Sequence, residues 1–231
     1  RINLAISLQE MGDREEGREV ARELIEIAPR SPDGYNVLGH CDYDEGRLES
    51  AYQWFGRALE YDPENTNAHW NRAMIRLHEG DLKTGLPDYE WRKRLASFGK
   101  DRRDVTTPHW DGSPAGIRGK RIVIYSEQGL GDSLQFIRYA RDLKEAGAAR
   151  VIFECQKPLI GLLRTVDGVD QTYVRGEKAP EHDLHVYLMS LPALVGIQQD
   201  QDCRDEPYID APEREITERV RSVEGLRVGL V

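Results

Sequence analysis

One short loop holds the residue types best suited to chemistry. Ser126-Glu127-Gln128-Gly129-Leu130-Gly131-Asp132-Ser133 follows the apolar run IVIY at 122–125 and precedes an amphipathic stretch carrying Phe136, Ile137, Ala140 and Leu143. The two glycines suit a tight turn into a helix, which places Asp132 near the helix N-terminus, where the partial positive charge favours an ionised carboxylate. Such a carboxylate in a cleft can take the proton of an attacking hydroxyl. The same position also suits a simple helix cap by Asp132 or Ser133, worth about 1 kcal/mol. A dinucleotide fingerprint GxGxxG would need a third glycine where Leu134 stands, although Glu154 ends the next apolar run, where a ribose-binding acid would sit. The lysine-bearing phosphate-loop signature is absent. His185 and Ser190 flank the end of another apolar run and would project toward the same sheet edge, with ordinary loop hydrogen bonding as the plainer role. His109 and His182 fall in polar loops, and no pair of histidines with carboxylates has metal-ligand spacing, so no bound metal is expected.

The elements that must position this loop are strands and helices in alternation. Runs at 122–125, 151–154, 170–174, 184–188 and 207–210 read as strands, with helices after the loop, around 158–166 and from Pro192, and Gly147 closing the first of them. Strand, loop, helix and strand in about thirty residues make a βαβ unit with a right-handed crossover. Residues 121–212 are therefore expected as a Rossmann-like parallel α/β domain with helices on its faces, and ligands of such sheets bind at the carboxyl ends of the strands. Residues 213–231 read as a linking helix and the first strand of a further, truncated domain. Residues 99–120 are rich in Gly and Pro without apolar period, and read as a linker whose only large aromatic is Trp110.

Upstream the pattern is a repeat. Gly12, Gly46 and Gly80 recur at intervals of 34 residues, as do Pro29 and Pro63, which is the tetratricopeptide period. Residues 1–98 are expected as three helical hairpins, at about 1–31, 32–65 and 66–98. The middle unit carries Tyr35, Leu38, Gly39, Ala51, Phe55, Ala58 and Pro63 at the repeat positions. Small residues let paired helices approach, Gly46 suits a left-handed turn, and Pro63 ends a helix. Leu4, Ala5, Gly17, Ala21 and Leu24 match the same pattern in the first unit. In the third, Arg72 and Arg92 stand where Leu38 and Ala58 stood, so that unit is degenerate, as terminal repeats are where an array meets something else. Asn36, His40 and Tyr43 share one helical face and are candidates for a protein-binding groove; a solvated polar face with a partly buried Tyr is the alternative.

Composition narrows the function classes. The 231 residues carry a net charge of −9, which opposes nucleic-acid binding, and 39% hydrophobic against 32% charged residues fits a folded chain with much solvated helix surface. No apolar run approaches the ~20 residues of a membrane span. Cys41, Cys155 and Cys203 form neither a disulfide framework nor a CxxC motif, which points to a reducing, cytoplasmic setting. The chain begins at Arg1 and stops within LRVGLV, and reads as a piece of a longer protein.

EQGLGDSLQFIRYA at 127–140, with PHWDG at 108–112, MSLPALVG at 189–196 and PYI at 207–209, resembles the bacterial tetratricopeptide-repeat glycosyltransferases. Their catalytic part resembles the ADP-heptose transferases, and the general architecture is that of O-GlcNAc transferase. The resemblance covers nearly the whole chain. It implies the first half of a GT-B fold, which mainly holds the acceptor, while a missing second domain holds most of a nucleotide-sugar donor. Gly131-Asp132 matches the Gly-Asp pair whose Asp acts as base. Gln128, Gly129 and Ser133 would then line the cleft, and Arg138 would meet an acidic group on substrate or serve as a structural arginine. The function implied is sugar transfer to a hydroxyl without metal or other cofactor, with the repeats binding a protein or glycan acceptor. This fragment alone is then expected to be nearly inactive. A non-catalytic tetratricopeptide scaffold is the alternative, and a nicotinamide-dependent enzyme a third reading.

Overall fold

Ser31 and Asn65 stand one repeat period apart, and each starts a helix by the same means. The Ser31 hydroxyl accepts from the Asp33 amide at 3.4 Å and the Asn65 side-chain oxygen from the Ala68 amide at 3.0 Å, satisfying donors that a helix leaves open at its first turn. The computed structural model describes residues 14–199, 202 and 206–209. Its helices α1 (Arg14–Ile27), α2 (Pro32–Asp44), α3 (Leu48–Tyr61), α4 (Thr66–His78) and α5 (Leu82–Tyr89) form the repeat array. Gly46 at φ 75° and Gly80 at φ 82° turn the chain between the helices of a hairpin. Inside the hairpin α2–α3 a Cβ added to Gly39 would lie 2.5 Å from the Phe55 ring, so only glycine admits this approach. Phe55, Ala51, Ala58, Ala68 and Ile75 are wholly buried around that contact. In the first unit Ala21 is fully buried, whereas Leu4, Ala5 and Gly12 lie outside the described residues.

The third unit departs from the pattern where the sequence does. Arg72 lies over the Tyr52 ring at 4.6 Å and donates to its hydroxyl at 2.7 Å. The second helix of this unit, α5, holds Pro87, ends at Tyr89, and continues as short 3-10 turns at Glu90–Arg94 and Ala96–Lys100.

Beyond them stands a small sheet of four parallel strands, β1 (Arg121–Tyr125), β2 (Arg150–Cys155), β3 (Gln171–Val174) and β4 (Leu184–Tyr187), in the order β3-β2-β1-β4. One face, with Ile122, Ile124, Val151, Phe153 and Val186, packs under Ile137, Ala140, Leu143 and Leu163. These come from the broken helical run α7 (Leu130–Phe136), a 3-10 turn and α8 (Ala140–Glu145), and from the short α9 (Ile160–Leu163). Among the described residues no helix of the kind expected covers the other face. Val123, Tyr125, Ile152, Tyr173 and Tyr187 are covered by Phe98, Val105 and Ala179 instead, because the connection from β3 to β4 spans only Arg175 to Asp183 and contains Gly176 and Pro180.

Residues 99–120, expected as a connection between modules, are built into this fold. His185 of β4 donates its amide to the Pro108 carbonyl at 3.1 Å and accepts from the Trp110 amide at 2.8 Å, a parallel bridge along the outer edge of β4. Trp110 is 3% exposed, and Ile117 in α6 (Pro114–Ile117) is fully buried. Val105, Trp110 and Ile117 are too irregularly spaced in this polar run to make a period, yet each packs into the fold. Pro207–Ile209 form no strand; Tyr208 instead donates to the Leu134 carbonyl at 2.7 Å. Asp210 and the expected linking helix and strand at 213–231 lie outside the described residues. No helix among the described residues is long and apolar enough to cross a membrane.

Candidate functional site

β1 ends on a loop whose left-handed residue is not a glycine. Gln128 has φ 54°, whereas Gly129 has φ −93° and ψ −178°, an extended conformation that any residue adopts. The tight turn expected of the two glycines is thus made by Gln128, at a steric expense of about 1–2 kcal/mol for an L-residue. Asp132 is the third residue of α7, and its Oδ2 accepts from the Gly129 amide at 2.8 Å, closing the helix start from inside. Oδ1 has no protein hydrogen bond among the described residues. Ser133 is buried and donates to Gln156 Oε1 at 2.8 Å, while Gln156 Nε2 donates to the Gly129 carbonyl at 3.2 Å, so Ser133 braces the loop rather than lining an opening. Gly131 is exposed.

The same loop is anchored from the repeat array by residues the sequence did not single out as a site. Glu127 is fully buried and accepts from Arg92 Nε at 2.9 Å and Nη2 at 2.8 Å, and from the Met189 amide at 2.8 Å. Arg92, 2% exposed, also donates to Ser190 Oγ at 3.0 Å and Glu90 Oε1 at 2.6 Å, and Ser190 donates to Glu90 Oε2 at 2.9 Å. Burial alone would lower the guanidinium pKa, but its hydrogen bonds and charge contacts to Glu127, then Glu90, hold it above the ordinary value. Strands β1 and β4 are neighbours at the point where the strand order reverses, and the crevice at their carboxyl ends is where open parallel sheets take ligands. Here the side chains of Arg92, Glu127 and Ser190 occupy it. The signal was present in Arg92, an ion at a repeat position that elsewhere holds Ala58, but nothing in the spacing pairs it with Glu127.

Above this network opens a cleft shared by both parts of the chain. A space of about 570 Å³ is lined by Trp70, Met74, Tyr89, Phe98, Gln128 and Asp132, among others. An adjoining one of about 510 Å³ again includes Tyr89, Gln128 and Asp132, now with Phe136 and Met189. Gln128 Nε2 donates to the Tyr89 hydroxyl at 2.9 Å, and the Tyr89 ring lies 4.9 Å from that of Trp70. Burial raises the Tyr89 pKa. One wall is thus aromatic and apolar, and the rest carries Gln128, Asp132, Ser97, Lys100 and Asp101, a mixture suited to a polar molecule with an apolar part.

Other predicted residues are placed elsewhere. His185 does not reach this edge; it lies 7% exposed within β4, on the strap-covered face, with Nδ1 3.3 Å from the Thr107 hydroxyl. Its pKa is lowered by burial. Ser190 is wholly buried in the Arg92 network and presents nothing to the cleft. Arg138 stacks on Tyr208 at 4.5 Å and donates to its hydroxyl at 3.2 Å, away from the cleft lining, which favours its structural reading. Glu154 is 2% exposed and held by Arg103 and Ser126, so it is not free for a ribose. Asn36 and His40 lie along the α2–α4 seam, where Asn36 donates to Asn65 at 3.1 Å and His40 Nε2 is 3.0 Å from Asn71. Burial lowers the His40 pKa. Tyr43 packs partly buried against the array core. Among the described residues no group of three or more His, Cys, Asp and Glu is placed to hold a metal ion.

Known proteins match parts of this chain. A family model described as TPR repeat matches residues 39–77. Protein FlbA of Caulobacter vibrioides is 26% identical over 181 residues, which are 62% of this chain and 30% of that protein, so the chain spans less than a third of this relative's length. An O-GlcNAc transferase of Thermobaculum terrenum is similar at 16% identity and a TM-score of 0.39, over 74% of this chain and 40% of its own. The type III secretion translocator chaperone SycD of Yersinia enterocolitica is similar at 19% identity and a TM-score of 0.38, over 43% of this chain and 71% of its own. The match of the family model at 39–77 and the paired helices around it make the helical part a tetratricopeptide array.

Proposed function

We propose that the array docks a protein partner and that the cleft at its end receives a hydroxyl of that partner beside Asp132, in a cytoplasmic sugar-transferring protein. In this reading the four-stranded sheet is the Rossmann-like, acceptor-side half of a GT-B arrangement, and a nucleotide sugar is held mainly by a domain beyond this chain. The observation that carries it is the position of Asp132: one oxygen is held by the loop, and the residue lines a cleft made jointly by array and sheet. A carboxylate positioned by one oxygen keeps the other for a proton.

The test is Asp132→Asn in the full-length protein. Asn still offers Gly129 an acceptor, so the fold and donor binding stay near normal, while transfer falls by about 100-fold or more, the usual scale for general acid-base catalysis. Near-normal transfer would refute the base assignment.

The second reading is a protein-binding scaffold without catalysis. It is favoured by the ligand crevice between β1 and β4, which Arg92 and Glu127 fill. Under this reading partner binding persists, and no transfer is measured with the intact protein or with Asp132→Asn.

A further inference from the structure

The loop that carries Asp132 is held from two sides by the repeat array. Among the described residues Gln128 is the only non-glycine at positive φ, and sparsely populated backbone states persist only where surrounding contacts over-determine them. On its N-terminal side Glu127 is clamped by the two-pronged guanidinium of Arg92. On its own side chain Gln128 is tied to the Tyr89 hydroxyl. Both anchors belong to the final turns of the array, Tyr89 at the end of α5 and Arg92 in the 3-10 turn after it. The 3-10 turn after β4, Leu188–Ser190, supplies the Met189 amide, and its Ser190 binds Arg92 itself.

We infer that Arg92 is a positioning residue through which the array sets the left-handed Gln128 turn, and with it the direction of Asp132. The inference rests on the proposed role of Asp132 for its functional meaning, but the coupling of array to loop stands on the contacts alone. A partner that shifts the last hairpin would move Arg92 and Tyr89 together, and the loop would follow. The array is then part of the site rather than a tether beside it.

The experiment compares the intact chain with Arg92→Met/Glu127→Met, which removes both charges, and with Arg92→Lys, which keeps the charge without the fork. The ¹³Cα shift of Gln128 reports its backbone conformation, and amide exchange at 128–132 reports how firmly the loop is held. In the double variant the Gln128 shift is expected to leave its left-handed value and exchange at 128–132 to quicken at least tenfold, with α2–α4 and β1–β2 unchanged. Arg92→Lys should fall between the two. A contact that only glues the parts together would change global stability without moving the Gln128 shift, and an unmoved shift with slow exchange would overturn the inference. If the double variant does not fold, Tyr89→Phe removes the other anchor alone and is read on the same two signals. In the full-length protein the double variant should lose kcat with little change in acceptor KM. A loosened loop with normal transfer in Asp132→Asn would sink the base assignment and leave the coupling standing. An unmoved loop with impaired Asp132→Asn would do the reverse.

Discussion

Inside the repeat array the core contacts are made by Gly39 on Phe55 within one hairpin and by Ala58 and Ala68 toward the next, none of them charged, with Arg72 on Tyr52 at the rim. Where the array meets the sheet, the centre of the contact is Arg92 on Glu127, ringed by Ser190, Glu90 and a backbone amide, with Tyr89, Ala73 and Met189 packed beside it. The first seam needs only shape and tolerates many apolar solutions of equal volume. The second demands one orientation, since a buried ion pair loses most of its value when its hydrogen bonds misalign. A repeat can therefore stack on any like repeat, but the last one must stop against this particular sheet.

The contrast is broken most directly by Arg92→Met alone. It leaves the Glu127 carboxylate buried and uncompensated, and unfolding free energy is expected to drop by about 3–5 kcal/mol in chemical denaturation, whereas the double Met variant should recover most of it. Equal losses in both variants would mean that packing rather than charge holds this seam. On the apolar side, Gly39→Ala places a methyl 2.5 Å from Phe55 and should cost about 1–3 kcal/mol through overpacking. An unchanged melting temperature would show that α2 and α3 have room to part.

A smaller effect sharpens the picture at a third contact, that of the 99–110 strap on the sheet. Burial, then Lys93 and His185, lowers the His109 pKa to about 4, and its Nε2 is buried without a hydrogen-bond partner. An unfolded histidine titrates near about 6.5, so below that pH the unfolded chain takes up a proton that the folded chain refuses. Stability contributed by neutral His109 is thus full above about 6.5 and is lost as the pH falls toward about 4. Melting temperatures should decline by a few degrees across that window, and His109→Gln should flatten the decline. A slope identical in the variant would assign the acid sensitivity to other groups.

How much of this was legible varies from residue to residue. Gly46, Gly80 and Pro63 punctuate helices at a fixed interval, and a period survives in the sequence because every unit must bury the same face. The four strands are readable because IVIY and VIFE are short, apolar and rich in β-branched residues. The place of Asp132 in the first turn of a helix is readable from Gly129 and the amphipathic run that follows. Its neighbours Trp70, Met74 and Tyr89 are not, since they come from the third hairpin and arrive by tertiary packing. The left-handed turn at Gln128 is hidden by the glycines beside it, which attract that assignment on intrinsic preference. Glu127 looks like a loop acid until a cation 35 residues upstream meets it, and local pattern carries no record of such a pairing. The surroundings of His185 are hidden for a related reason: the strap that covers it comes from residues 105–110, which carry no periodic signal.

The short bridge that His109 makes beside β4 has a colloidal consequence. A parallel sheet with a bare rim offers unpaired amides and carbonyls to any passing chain, and such rims seed self-association. Pro108 and Trp110 take up the amide and carbonyl that His185 would otherwise present there, and Pro108 itself has no amide to offer onward. Prying residues 108–110 away, by an insertion at 104–106 for example, would expose the longer-lived hazard: a chain still folded, yet sticky along one side.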